Sequence, residues 1–274
     1  EKLYLSNLDT NYKCMYEKYN KFYEVHIFED FSVVDLDKFK NCIYLSLRSC
    51  FNISNVSQLK NIKFLDLSNC FELEDVSMLE HCKKLELCNC HKIKDVSNLG
   101  NIPYLDLSHC DSIEDISQLG NHTYLNLKGM YINNIHNLSN VRILDISYNN
   151  NIYDISPLEN IYNLNISNCL NIQLTTTMNN NIFTAENTNL VDDDIKYLKN
   201  INILNLSKNN YISDLSPLVK TKNLDIRQCR NIRVLPYNTL LDYINVSSEN
   251  YNGNLINLGI DNLKIGKINI EYYY

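Results

Sequence analysis

A Leu-x-Leu pair returns about every twenty residues along almost the whole chain. It starts at Leu45, Leu65, Leu85, Leu105 and Leu125, and again at Leu144, Leu164, Leu204 and Leu224. Weaker copies start at Val25, Phe183, Ile244 and Leu263, which makes about thirteen units of 19 to 21 residues. One such unit cannot bury its own leucines. It must stack on its neighbours, so the period requires a solenoid.

The unit reads L-x-L-x-x-C/N-x-x-I-x-D-V/I-S-x-L-x-N. Its first part alternates like a strand with one buried face. Leu105 and Leu107 are expected inside, with Tyr104, Asp106 and Ser108 outside. Its second part spaces apolar residues by three, as in Ile113, Ile116 and Leu119, which suits a 3₁₀ turn and is too short for a full helix. Ser117 is expected to cap that turn, and Gly120 with Asn121 to make the return to the next strand. The fold class is therefore α/β. A parallel sheet forms the concave side, with 3₁₀ turns and loops on the convex side, in a curved rod of roughly 60 Å at about 4.8 Å per strand. Residues 1–22 fit the unit poorly and read as an N-terminal cap, helical around Met15 to Phe22. Residues 23–270 are the solenoid and 271–274 a tail. The stretch from Leu170 to Asp194 loses the D-I-S-x-L turn and puts Ala185 in the second leucine position, so an irregular convex loop is expected there.

These motifs resemble leucine-rich repeat proteins. "DSIEDISQL", "YDISPLEN" (Tyr153 to Asn160) and "SDLSPL" (Ser213 to Leu218) are similar to the short repeats of bacterial internalins. "CHKIKD" and "CDSIED" resemble the cysteine-containing repeats of F-box ubiquitin-ligase adaptors. With the Asn-rich composition, the combination also resembles tandem repeat families of large DNA viruses. The resemblance implies a non-enzymatic protein-interaction module, and a viral origin would make its partner a host protein. The alternatives it implies are the substrate receptor of a ubiquitin ligase and an internalin-like adhesin. The first would need an F-box-like helical segment, which the N-terminus does not obviously contain. The second would need a signal peptide and anchor.

Six of the ten cysteines, Cys50, Cys70, Cys90, Cys110, Cys169 and Cys229, share one repeat column. Met130, Asn149, Thr188 and Asn209 take it elsewhere, so it reads as a packing position. A ladder with one thiol per turn does not converge on a zinc ion. Parallel side chains make poor disulfides. Reduced structural thiols are expected, which favours a reducing compartment and a cytoplasmic location, in the host if the protein is viral.

Catalytic signals are sparse. There are six glycines and no phosphate-loop, G-x-S-x-G or H-E-x-x-H pattern, so no enzyme, metal or cofactor is expected. The recurring Asp75, Asp95, Asp115, Asp154 and Asp214 are expected to bind turn amides. A net charge of -7 argues against nucleic acid. No run of about 18 apolar residues suggests a membrane span. A monomer is expected. Seven N-x-S/T sequons fit chance in so Asn-rich a chain, and three of them, Asn165, Asn205 and Asn245, lie in strands.

The outward positions carry the functional expectation. The column before the first leucine holds Tyr44, Phe64, Lys84, Tyr104, Tyr124 and Ile143. The column between the leucines holds Ser46, Asp66, Glu86, Asp106, Asn126 and Asp145. An aromatic stripe beside an acidic one suits a protein partner. Tyr44, Phe64, Asp66, Glu86, Tyr104, Asp106, Tyr124 and Asp145 are the expected partner-binding residues.

Overall fold

The computed structural model describes residues 2–6, 24–28, 36–236, 241–247 and 268–271. It divides into two compact units, Glu1–Tyr131 and Ile132–Tyr274. The first contains β1 (Lys2–Ser6), β2 (Glu24–Phe28), β3 (Tyr44–Ser46), β4 (Phe64–Asp66), β5 (Lys84–Glu86), β6 (Tyr104–Asp106) and β7 (Tyr124–Asn126). The second contains β8 (Ile143–Asp145), β9 (Asn163–Asn165), β10 (Ile182–Thr184), β11 (Ile203–Asn205), β12 (Asn223–Asp225), β13 (Tyr243–Ser247) and β14 (Ile268–Glu271). In each unit the strands pair in parallel and in chain order.

Pairing follows the repeat without a slip: Leu45 stands opposite Leu65, Leu65 opposite Leu85, and Leu85 opposite Leu105. A slip of one residue would turn each leucine out to solvent, so burial fixes the register. Leu45, Leu47, Leu85, Leu87, Leu105 and Leu107 are all fully buried. The strands β3 to β12 span only three residues each, but their hydrogen bonds run on. The Leu47 amide donates to the Asp66 carbonyl at 2.8 Å and the Ser49 amide to the Ser68 carbonyl at 2.8 Å. The expected 3₁₀ turns are present, as at Ser57–Leu59, Ser77–Leu79 and Ser97–Leu99.

One local expectation is corrected. The serine does not cap its turn. The aspartate two residues earlier does, with Asp115 Oδ1 accepting from the Ser117 amide at 2.8 Å and Asp75 and Asp95 doing the same for Ser77 and Ser97. A carboxylate reaches the amide two residues on, as in an Asx turn, and the serine supplies that amide as the donor. Gly120 and Asn121 do lie in the turn ahead of β7, and the left-handed backbone lies elsewhere. It falls just before the cysteine column, at Ser49, Asn69, Asn89 and His109, and at Gly129 with φ 66°. That is where the strand must turn sharply into the loop.

The ends add to the reading. Leu3 and Leu5 of β1 stand opposite Val25 and Ile27, so residues 2–6 carry a further Leu-x-Leu copy inside the stretch read as a cap. The helix expected around Met15 to Phe22 and the copy at Leu263 lie outside the described residues. The strand that pairs with β13 starts at Ile268, opposite Ile244.

From Leu170 to Asp194 the strand keeps register while the turn side changes. Phe183 pairs with Leu164 and Leu204, and the large Phe183 and small Ala185 are both fully buried, which conserves core volume across the two positions. The turn is rebuilt with a short helix, α1 (Asp192–Ile195), whose Asp194 accepts from the Val191 amide at 2.9 Å.

Candidate functional site

Two polar files run through the core, and both serve the backbone. In the cysteine column, the Cys70, Cys90 and Cys110 thiols donate to the Leu47, Leu67 and Leu87 carbonyls at 3.4, 3.2 and 3.0 Å. In the second unit Cys169 and Cys229 do the same to Ile146 and Leu206. Asn209 takes that place with Nδ2 on the Ala185 and Leu206 carbonyls at 2.7 and 2.9 Å. None of the nine described cysteines is in a disulfide. Burial pushes the Cys90 and Cys229 thiols up to about 12, so they stay protonated donors. A second file precedes the strands. Here Cys82 donates to the Ile62 carbonyl at 3.2 Å, Asn180 to Ile161 at 2.6 Å and Thr221 to Ile201 at 3.0 Å. His122 bonds the Ile102 carbonyl through Nδ1. Burial lowers its pKa. Neither file presents a nucleophile or a ligand set. Among the described residues no group of three or more His, Cys, Asp or Glu can hold a metal.

The sheet face of the first unit differs in kind. Tyr44, Phe64, Lys84, Tyr104 and Tyr124 are consecutive partners across β3 to β7 and all are half-buried. The Tyr104 and Tyr124 rings stack at 4.1 Å and 5°. Lys84 Nζ lies 4.7 Å from the centre of the Tyr104 ring and 3.2 Å from Glu86 Oε1. At the other end, His26 packs on Tyr44 at 4.8 Å. The expectation included neither Lys84 nor His26. Lys84 lay in the same column in plain view. His26 follows a weak Val25 copy, which hid its place on the face.

The neighbouring column is less free than expected. Asp66 is only 6% exposed. Its carboxylate accepts from Ser46 Oγ at 3.2 Å, Arg48 Nε at 3.1 Å and the Ser68 amide at 2.9 Å. Asp66 therefore buttresses the face from within. Ser108, expected outside, is buried on Asp106 Oδ1 at 2.6 Å. Asp106 itself is half-buried, held by neutral donors: the Ser108 amide at 2.9 Å, the Ser108 hydroxyl, and Asn126 Nδ2 at 3.0 Å. Asp145, in the second unit, accepts from the Ser147 amide and from Asn165 Nδ2, both at 2.8 Å. Outward aspartates here first close a tight turn, and only their remaining oxygen faces a neighbour. The structure thus brings Tyr44, Phe64, Glu86, Tyr104, Asp106 and Tyr124 together on one face, with Asp66 beneath them.

A parallel ladder of short strands with 3₁₀ turns and asparagine or cysteine at the strand end defines the architecture. The fold is the leucine-rich repeat fold. An internalin (InlF) of Listeria monocytogenes is similar to this chain with a TM-score of 0.57 and 21% identity, over 93% of this chain and 84% of that one. A leucine-rich repeat protein of Leptospira interrogans aligns over 96% of this chain and 94% of its own at 12% identity and a TM-score of 0.42. The functional domain of InlJ from Listeria monocytogenes, described as including a cysteine ladder, aligns over 74% and 67% at 16% identity and a TM-score of 0.33. No family model and no curated protein matches the sequence.

Proposed function

We propose that this leucine-rich repeat chain is a non-enzymatic binding module that holds a protein partner on the sheet face of its first unit. The observation that carries this reading is the row Tyr44, Phe64, Lys84, Tyr104 and Tyr124. Its members do not fill the core, yet they stand in strict register and half-exposed. Large side chains pre-ordered by stacking lose little entropy on binding, which is what an interface anchor requires. Glu86 and Asp106 flank the row. The reduced thiols suit a reducing compartment, so the proposed location is the cytoplasm. If the chain is viral, as its Asn-rich repeats suggest, the partner is a host protein.

The test is capture from cell lysate by wild-type protein and by a folded Tyr104→Ala/Tyr124→Ala variant, with Tyr211→Ala as a control, since Tyr211 is 66% exposed on the turn side of the second unit. The proposal expects the double variant to lose its partner and the control to keep it. Equal capture by all three would reject the sheet face.

A further inference from the structure

We propose that the partner presents an extended, proline-rich segment with an arginine, lying across the strands along the Tyr44 to Tyr124 row; this rests on the sheet-face reading above.

Three matches on the face support it. The first is period. Successive strands are about 4.8 Å apart, so every second repeat comes round after about 9.6 Å. A polyproline II helix rises about 3.1 Å per residue with three residues per turn, so every third residue comes round after about 9.3 Å. Prolines at every third position therefore meet Tyr44, Lys84 and Tyr124, or Phe64 and Tyr104, almost in step. An extended β segment shows its same-side residues every 6.7 Å or so, and an α-helix turns every 5.4 Å or so, and neither period fits the row.

The second match is hydrogen bonding. The carbonyls of a polyproline II helix have no internal partners. The row offers hydroxyls at Tyr44 and Tyr104 and the ammonium of Lys84, which also holds Glu86, all donors, beside apolar ring surface. The strand backbone is already paired on both sides across β3 to β6, so a partner lying over this face cannot add as a further strand there. Recognition must come from side chains, as it does where aromatic-lined grooves take proline-rich segments.

The third match is charge. Residues 1–131 contain 19 Asp and Glu against 14 Lys and Arg, and so carry five of the chain's seven net negative charges. On the face, Arg48 faces Asp66 and Lys84 faces Glu86, while Asp106, beside the stacked Tyr104 and Tyr124, is held by neutral donors. A guanidinium placed there would meet a carboxylate already fixed in position.

The probe is a labelled peptide of about nine residues with proline at every third position and one arginine, long enough at about 3.1 Å per residue to cover β3 to β7. It is titrated into the full chain beside a scrambled peptide of the same composition. Binding of the regular peptide, weakened about tenfold or more by Tyr104→Ala/Tyr124→Ala, supports the proposal. So does weakening by Asp106→Asn that disappears when the peptide's arginine is replaced by glutamine. Asparagine already makes the same turn bond at Asn126, so that variant keeps its fold. Equal affinity for the scrambled peptide overturns the proposal, as does regular-peptide binding that ignores the tyrosine variant. If the peptide fails to bind while lysate capture still depends on Tyr104 and Tyr124, the proline-rich inference falls and the sheet-face reading stands. If capture ignores those tyrosines, both fall.

Discussion

Asn209 shows what one side chain does in this fold. It is fully buried, donates to the Ala185 and Leu206 carbonyls, and accepts from the Thr188 amide and hydroxyl at 3.0 and 2.8 Å. Asn209→Ala strands the Thr188 amide and takes the short donor from the Ala185 carbonyl, while the Leu206 carbonyl keeps the Cys229 thiol. It is expected to cost about 3 kcal/mol in a urea unfolding titration, with Asn209→Cys milder because a thiol can still donate. His122 makes a different prediction. Its folded pKa lies below its unfolded value, because burial disfavours the imidazolium. Its contribution is therefore intact above the unfolded value of about 6.5 and is lost as pH falls through the folded one. His122→Thr places the Thr221 solution in the same file. Its stability should fall less than wild type when pH is lowered from 7 to 5; parallel curves would reject the assignment. Cys88 is the single described cysteine that is half-buried, the other eight being buried. In a Cys14→Ser background, a native-state thiol label should reach Cys88 first and the other eight only after denaturation.

Elements here are held by their turns. Strands of three residues have little stability of their own, so a repeat relies on the Asp or Asn that closes its loop. Asp75, Asp95 and Asp115 have lowered pKa values, chiefly because the amides of Ser77, Ser97 and Ser117 donate to them. The sign follows: this support is present above the unfolded carboxylate value near 3.9 and lost as pH falls through the folded one. Asp95→Ala should lower the melting temperature at pH 7, and the gap from wild type should close as pH approaches 2. Asp95→Asn should be nearly neutral, because Asn55 caps Ser57 with the same geometry at 2.9 Å. The repeat is also tight where turns meet. A Cβ at Gly100 would lie 2.4 Å from the Gln118 carbonyl oxygen of the next turn. Gly100→Ala is therefore expected to cost about 1–3 kcal/mol, read by the same unfolding titration.

Across the whole molecule, the buried columns carry stability, and the proposed binding row is expected to add little to it. Leu107 is fully buried, and Leu107→Ala should cost about 2–5 kcal/mol of stability. Tyr104→Ala/Tyr124→Ala removes the 4.1 Å ring stack, the Lys84 contact on the Tyr104 ring and half-buried surface, and leaves the leucine core intact, so its melting temperature should drop by much less. A double variant that unfolds as readily as Leu107→Ala would show that the row is structural. Far-UV circular dichroism should show little helix, since the one described α-helix spans Asp192–Ile195.

The sequence by itself determined the period, the parallel register and the buried columns, because one-sided burial of Leu-x-Leu admits a single arrangement of stacked units. It also determined that a column shared by Cys, Asn and Met is interior. What only the tertiary structure decided was how each polar side chain uses its reach. Asp66 and Asp106 occupy the same column, yet one lies buried under Arg48 and Ser46 while the other keeps a carboxylate beside stacked tyrosines. That difference arises between repeats twenty residues apart, where a neighbour's side chain chooses which oxygen is taken. A pattern read along one strand sets the direction of a residue. Only the strand beside it sets what that residue meets.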